Sequence, residues 1–264
     1  MGEGLYFIEE RDRTICKPRR MRAAHGVVLL LHDLGSGRDS MRTALIEGAS
    51  QGLAAVAVDL PYRVTPSDPI RLTKAFKEAV KRGLKELEQL EKEWPGAEVG
   101  VAGFSFGGIL AFRLASLDPR VKAVASICSA SLRAALAVSL ELPSLFGVER
   151  GRVASLLREE EFKGLLSEVD RSLVKLPPRR VLLIGGLRDK VIPIDAVRYT
   201  YHLLKRAYKG LGEEGKVIIR EYDMGHELSP VAVNDAMFWL KAVSYTHLRA
   251  HETEADLVCR LLLE

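Results

Sequence analysis

Residues 99–108 read VGVAGFSFGG, so an apolar run ends in a Gly-x-Ser-x-Gly pentapeptide and continues directly into a helical pattern. A serine held between a strand and a helix sits on a sharp, strained turn, which larger residues two positions away would crowd. Gly103 and Gly107 remove that crowding. We therefore interpret Ser105 as a catalytic nucleophile on a strand-to-helix turn. The alternative is a structural glycine-rich turn.

The rest of the chain alternates strand-like apolar runs with helical patterns. Candidate strands lie at 26–32, 54–59, 98–103, 121–127, 180–185 and 216–222, and candidate helices include 69–93 and 194–209. This alternation is typical of a mostly parallel sheet that helices cover on both faces. The sequence therefore predicts an α/β fold, to which residues 5–17 add a candidate edge strand or hairpin.

Two later segments carry an acid and a histidine just after candidate strands. The apolar run 180–186 leads into LRDKVIP, which contains Asp189, and the run 216–222 leads into the loop DMGHE, which contains His226. Asp189 and His226 therefore stand directly after candidate strands, as Ser105 does.

With these motifs, residues 25–243 resemble the α/β-hydrolase superfamily, and within it the small serine esterases and the dienelactone-hydrolase-like or prolyl-oligopeptidase-like catalytic domains. In that superfamily an acid follows a later strand and a histidine follows the last one, in the chain order serine, acid, histidine. The resemblance thus makes Asp189 our candidate acid and His226 our candidate base, with Asp195 and Asp223 as alternative acids. The resemblance implies that His226 accepts the hydroxyl proton of Ser105. It also implies that Asp189 orients the imidazole and stabilises the imidazolium that forms.

The resemblance further implies two backbone N–H donors for a developing oxyanion. One is the N–H of Phe106, immediately after the nucleophile. The run VVLLLHDLGSG at residues 27–37 ends in a His-x-x-Gly turn that is similar to the oxyanion loop of the family, although Asp33 stands where glycine is frequent. By this match the second donor is the N–H of Leu34, and His32 orders the turn.

The segment 129–176 is too long for an ordinary connection between strands. Its leucines recur at helical spacing, which predicts several helices. We expect either a helical cap over the nucleophile or ordinary helical packing against the sheet.

Residues 1–242 are predicted to form a single domain. Residues 243–264 do not continue the pattern and resemble translated sequencing-adapter DNA, so we interpret them as a non-native tail.

Composition excludes several other classes of protein. The net charge is +4, and the basic residues are scattered among acids, which argues against a nucleic-acid partner. No apolar stretch approaches the roughly 20 residues of a membrane span, and no signal segment begins the chain. Cys16, Cys128 and Cys259 lack metal-ligand spacing. We therefore expect reduced thiols in a cytoplasmic protein without a metal or cofactor.

The predicted function is that of a cofactor-independent serine hydrolase, which cleaves carboxylic esters of small molecules through an acyl-enzyme intermediate. Thioester hydrolysis, peptide hydrolysis and a cofactor-free haloperoxidase-like activity use the same triad and remain alternatives. A further alternative is a non-catalytic binding protein with the hydrolase fold. The sequence leaves the oligomeric state open.

Overall fold

A central eight-stranded sheet organises the computed structural model, which describes residues 4–19, 26–61, 68–139, 144–145, 148–149 and 158–243. The strands of this sheet are β1 (Leu5–Glu9), β2 (Arg13–Pro18), β3 (Gly26–Leu31), β4 (Ala54–Val58), β5 (Glu98–Phe104), β6 (Val121–Ile127), β9 (Arg180–Gly186) and β10 (Val217–Tyr222). Their order is β1-β2-β4-β3-β5-β6-β9-β10. The pairs β1–β2 and β2–β4 are antiparallel and the remaining pairs are parallel, which confirms the mostly parallel sheet.

Helices cover both faces of the sheet, as predicted. They are α1 (Arg42–Ser50), α2 (Pro69–Glu93), α3 (Phe106–Leu117), α4 (Leu132–Ser139), α5 (Glu160–Val174), α6 (Ile194–Lys209) and α7 (residues 230–243). Short 3₁₀ turns occur at Arg38–Met41 and Glu214–Lys216. Apolar side chains of α1 and α7 pack on one face, and those of α2, α3, α5 and α6 pack on the other.

The central strand β3 shows why the sequences of the parallel strands are so apolar. All six of its residues, GVVLLL, are buried. Val27, Leu29 and Leu31 belong to the core under α2 and α3, whereas Val28 and Leu30 belong to the core under α1 and α7. A strand covered on both faces has no polar side, so it forms a continuous hydrophobic run.

A buried cation fastens the amino-terminal hairpin to α2. Arg13 of β2 is 3% exposed, and its guanidinium donates to Glu86 at 2.8 Å, to Glu93 at 2.5 Å and to Glu10 at 2.7 Å. The Glu86 side chain is itself only 1% exposed. Buried charges persist only when they are paired, so the edge strands and α2 constrain one another here.

The predicted cap region is described in part. The pair β7 (Ser144–Leu145) and β8 (Val148–Glu149) forms a small antiparallel hairpin after α4. Helix α5 contacts α2 and α3 and contributes Phe162 and Leu165 to the core, which is ordinary helical packing for that part. Residues 140–143, 146–147 and 150–157 lie outside the described residues, so the cap stays a prediction, as does the single domain of residues 1–242.

The carboxyl-terminal part of the chain is described as far as residue 243, which lies in α7. Residues 244–264 of the predicted tail lie outside the described residues. Among the helices that the structure describes, none combines the length and the apolar character that crossing a bilayer requires.

Candidate active site

The three predicted site residues lie together at the carboxyl edge of the sheet. Ser105 follows β5, Asp189 follows β9 and His226 follows β10. The distance from Ser105 Oγ to His226 Nε2 is 2.9 Å, and that from His226 Nδ1 to Asp189 Oδ2 is 2.8 Å. A carboxylate only accepts hydrogen bonds, so Nδ1 donates to Asp189 and Nε2 accepts from the Ser105 hydroxyl.

The turn that carries Ser105 has the strained geometry that its glycines predict. Ser105 has φ 52° and ψ −118°, outside the regions that side-chain-bearing residues favour. A Cβ on residue 103 would overlap the carbonyl group of Gly107, and a Cβ on residue 107 would overlap the carbonyl oxygen of Leu31. Both glycines are therefore required for α3 to approach the ends of β3 and β5 this closely.

Asp189 is held by the loop that follows β9. Its Oδ1 accepts the backbone N–H groups of Val191 and Ile192, each at 2.8 Å, which leaves Oδ2 for His226. Its side chain is fully buried. The two alternative acids are exposed and pair with arginines instead, Asp195 with Arg198 and Asp223 with Arg188. The structure therefore brings Asp189, among these three candidates, against the histidine.

Backbone hydrogen bonds join the acid loop to the histidine loop. The N–H of Leu187 donates to the carbonyl of Tyr222 at 2.8 Å, and the N–H of Arg188 donates to that of Met224 at 3.0 Å. These bonds extend the β9–β10 pairing beyond the last residues of both strands. His226 also lies against the ring of Phe104, with 5.0 Å between ring centroids. The position of the imidazole is thus fixed from the backbone and from one face.

The loop after β3 packs against the nucleophile turn. His32 is buried, and its Nε2 accepts the backbone N–H of Leu60 at 3.0 Å, so its Nδ1 carries the proton and donates to the carbonyl of Asp33 at 2.8 Å. His32 therefore orders this turn, as expected. Leu34 is half-buried in the same turn, and Phe106 is the first residue of α3. Their roles as oxyanion donors stay predictions.

Phe106 is fixed from the side opposite the sheet. Its ring meets the ring of Phe76 of α2 edge to face, with 5.6 Å between centroids. Helix α2 begins at a favourable cap, because Asp68 accepts the N–H of Arg71 at 2.9 Å and Pro69 occupies the first helical turn. The apolar side of α2 thereby contacts the residue that follows the nucleophile.

Sequence reasoning missed Cys128, which the structure places beside the acid and the histidine. Its Sγ, a carboxylate oxygen of Asp189 and a ring nitrogen of His226 lie within 4.8 Å of one another, and no other such group of potential metal ligands occurs among the described residues. Burial and the negative charge of Asp189 raise the pKa of the Cys128 thiol to about 12. His226 Nδ1 and Asp189 Oδ2 are already hydrogen-bonded to each other at 2.8 Å, so we assign no metal to this group. The sequence could have indicated Cys128 by its position, because it directly follows the candidate strand 121–127 and therefore lies at the same edge of the sheet as the other site residues.

Comparison with known proteins agrees with this architecture. The sequence model described as the alpha/beta hydrolase family matches residues 28–236. No curated protein sequence matches the chain. Among solved structures, TT1662 from Thermus thermophilus is 18% identical, with a TM-score of 0.68 over 91% of this chain and 98% of that one.

Two further solved structures have the same fold at low sequence identity. Acetyl xylan esterase 1 from Thermoanaerobacterium sp. JW/SL YS485 is 17% identical, with a TM-score of 0.63 over 92% of this chain and 89% of that one. The Pyrococcus horikoshii acylaminoacyl peptidase is 19% identical, with a TM-score of 0.60 over 90% of this chain and 40% of that longer protein. Because the family model covers most of the sequence and the sheet has the matching architecture, this chain belongs to the alpha/beta hydrolase family.

Proposed function

We propose that the protein is a serine hydrolase that cleaves carboxylic esters of small molecules through an acyl-enzyme intermediate. The observation that carries this proposal is the unbroken hydrogen-bonded series from the Ser105 hydroxyl through His226 to Asp189, with distances of 2.9 and 2.8 Å. A nucleophile within reach of a base, and a base oriented by a buried acid, is the arrangement that acyl transfer requires.

In the proposed mechanism, Ser105 Oγ attacks the ester carbonyl carbon while its proton passes to His226 Nε2. The tetrahedral intermediate then collapses. The bond to the alcohol breaks, and the leaving oxygen takes the proton back from Nε2. Water attacks the resulting acyl-serine with His226 as the base again, which releases the carboxylic acid and restores the Ser105 hydroxyl. Asp189 stabilises the imidazolium at both stages without itself taking up the proton.

The negative charge on the carbonyl oxygen requires fixed donors, which we assign to the backbone N–H groups of Phe106 and Leu34. Phe106 supports this assignment because it begins α3, and the partial positive charge of a helix N-terminus favours an anion there. Leu34 is supported by the close packing of the turn after β3 against Gly107. Losing one such donor typically costs about 10²- to 10³-fold in rate.

Esters are the favoured substrates because an alkoxide is a better leaving group than an amide anion, so the C–O bond breaks more readily when His226 returns the single proton. One of the structurally similar proteins is named an acetyl xylan esterase, which supports the same class. The similar acylaminoacyl peptidase is a longer protein, of which this chain matches 40%. Peptide hydrolysis is therefore the less favoured use of this site.

The test is hydrolysis of p-nitrophenyl esters, from acetate to decanoate, together with labelling by a fluorophosphonate probe. Ser105→Ala should abolish both labelling and turnover. Ser116→Ala is the matched control, because that hydroxyl lies on α3 about 16 Å further along the helix and donates to the carbonyl of Arg113. It should leave both readouts unchanged.

The possible outcomes separate the alternatives. Serine-dependent labelling without ester turnover would redirect the proposal to thioesters or to a narrow natural substrate. A folded wild type that neither turns over esters nor reacts with the probe would refute the serine mechanism and favour a non-catalytic binding protein.

A further inference from the structure

Cys128 occupies a strained backbone position at the carboxyl end of β6. Its φ is +46°, and among the described residues only Ser105 shares a positive φ without being glycine. The N–H of Cys128 donates to the carbonyl of Ile184 in β9 at 2.8 Å, so its backbone is tied to the strand that leads to Asp189. A side chain in the left-handed region has a conformational cost that glycine would not have. The contacts of the Cys128 side chain therefore have to compensate for this conformational cost.

The thiol of Cys128 reaches the backbone on both sides of His226. Its Sγ lies 3.7 Å from the carbonyl oxygen of Gly225 and 3.7 Å from that of Glu227, and its single S–H can donate to either of them or to the side chain of Asp189. The cysteine is completely buried. The histidine loop therefore contacts this side chain at the peptide group that precedes His226 and again at the carbonyl of the residue that follows it.

The protonation state of the thiol suits a donor rather than a nucleophile. Burial is the main reason that the pKa of Cys128 rises to about 12, and the adjacent charge of Asp189 raises it further. At neutral pH the side chain consequently keeps its proton and places no second negative charge beside Asp189. A buried neutral thiol is also chemically inert, which excludes a direct role in attack on a substrate.

We propose that Cys128 is a positioning residue: by supporting residues 225–227 from the end of β6, it holds His226 where Nδ1 meets Asp189 and Nε2 meets Ser105. This inference rests on the proposed function. The three strands that end in Ser105, Cys128 and Asp189 are adjacent in the sheet, whereas the histidine loop comes from the edge strand β10. Cys128 thus connects the loop that follows the edge strand to the central strands of the site. A displacement of about 1 Å at a catalytic group can cost up to about 10²-fold in rate.

The experiment measures kcat and KM for a p-nitrophenyl ester that the wild type hydrolyses, with kcat expressed per site titrated by the fluorophosphonate. Cys128→Ala removes the donor and should lower kcat per titrated site about 10- to 100-fold with little change in KM. Cys128→Ser keeps a donor on the same Cβ and should remain within about 10-fold of the wild type, above the alanine variant. Cys16→Ala is the control, because Cys16 is also completely buried but lies in β2. It should keep the wild-type kcat per site.

Two results would overturn the proposal. An unchanged kcat per titrated site in Cys128→Ala would mean that the residue only stabilises the fold, and an equal loss in Cys16→Ala would mean that any core cysteine has the same effect. If Cys128→Ala does not fold, Cys128→Gly relieves the positive φ and still removes the thiol, so full kcat per site in that variant would refute positioning. Failure of the serine mechanism is distinguishable, because it abolishes the activity of the wild type before any cysteine variant is compared.

Discussion

Replacing Asp189 by asparagine should inactivate the site while leaving the fold intact. An asparagine amide has one oxygen that accepts and one NH₂ group that donates. Asp189 Oδ1 accepts two N–H groups, from Val191 and Ile192, at 2.8 Å each. The amide oxygen has to take that place, which turns the NH₂ group toward His226 Nδ1. That nitrogen must then accept, so Nε2 carries the proton and can no longer take one from Ser105.

The magnitude follows from the alternative orientation of the amide. Turning it around would leave two buried N–H donors without acceptors, at about 1–3 kcal/mol each, or about 2–6 kcal/mol in all. The inactive tautomer is therefore strongly favoured. In serine hydrolysis, the wrong tautomer lowers kcat by about 10⁴-fold. We expect a kcat loss of about 10³- to 10⁴-fold for Asp189→Asn, with an unfolding free energy within about 1 kcal/mol of the wild type.

The assay combines ester hydrolysis with urea unfolding. Asp189→Ala should lose activity and also about 2–6 kcal/mol of stability, because the N–H groups of Val191 and Ile192 lose their acceptor. Asp195→Asn is the matched control on the alternative acid and should leave kcat unchanged. The reasoning is refuted if Asp189→Asn keeps more than a tenth of the wild-type kcat, or if Asp195→Asn causes the larger loss.

Three further predictions concern stability. In Gly103→Ala the new Cβ would lie 2.5 Å from the Gly108 nitrogen, whereas ordinary contact begins at 3.4 Å. The variant should therefore lose about 1–3 kcal/mol of stability and most of its activity, and urea unfolding at the wild-type midpoint would contradict this. Arg13→Met removes one of the two guanidinium groups beside the buried Glu86, since Arg82 stays 3.3 Å from it, and should cost about 1.5–3 kcal/mol of unfolding free energy; an unfolding midpoint equal to that of the wild type would contradict this. Burial raises the pKa of Asp118, but hydrogen bonds and charges of neighbouring arginines lower it more, so the net pKa lies below the ordinary value of 3.8. A lowered pKa stabilises the fold above pH 3.8 and ceases to do so as pH falls through the folded value. Asp118→Asn should therefore cost about 1–3 kcal/mol at pH 7 and less at pH 3, and an equal loss at both values would argue against this account.

The sheet could be predicted because parallel strands covered on both faces are continuous apolar runs. The predicted strand 121–127 and helices 69–93 and 194–209 agree with the structure, and the other predicted strands differ from it by one residue at an end. The amino-terminal hairpin was harder to predict, because an edge strand such as β1 is only half-buried and its pattern is weak. Burial on both faces, rather than strand propensity, carried the signal.

The candidate site could be predicted where its residues follow a strand, as Ser105, Asp189 and His226 do. The sequence left Asp195 and Asp223 as rival acids, since only distances in the folded chain separate them from Asp189. The contact of Cys128 with the histidine loop joins residues 97 and 99 positions apart in sequence. It depends on the order of strands across the sheet, which no local pattern encodes.

The place of β10 at the edge of the sheet has a consequence for the order in which activity appears during folding. Among the described strands β10 pairs with β9 alone, and it delivers His226 to a nucleophile 121 residues earlier in the chain. A contact between residues so far apart in sequence forms slowly, because loop closure has to precede the contacts that reward it. A partly folded chain that already presents Ser105 and Asp189 would therefore hydrolyse nothing until β10 docks. The return of turnover in a refolding experiment would time that final docking step.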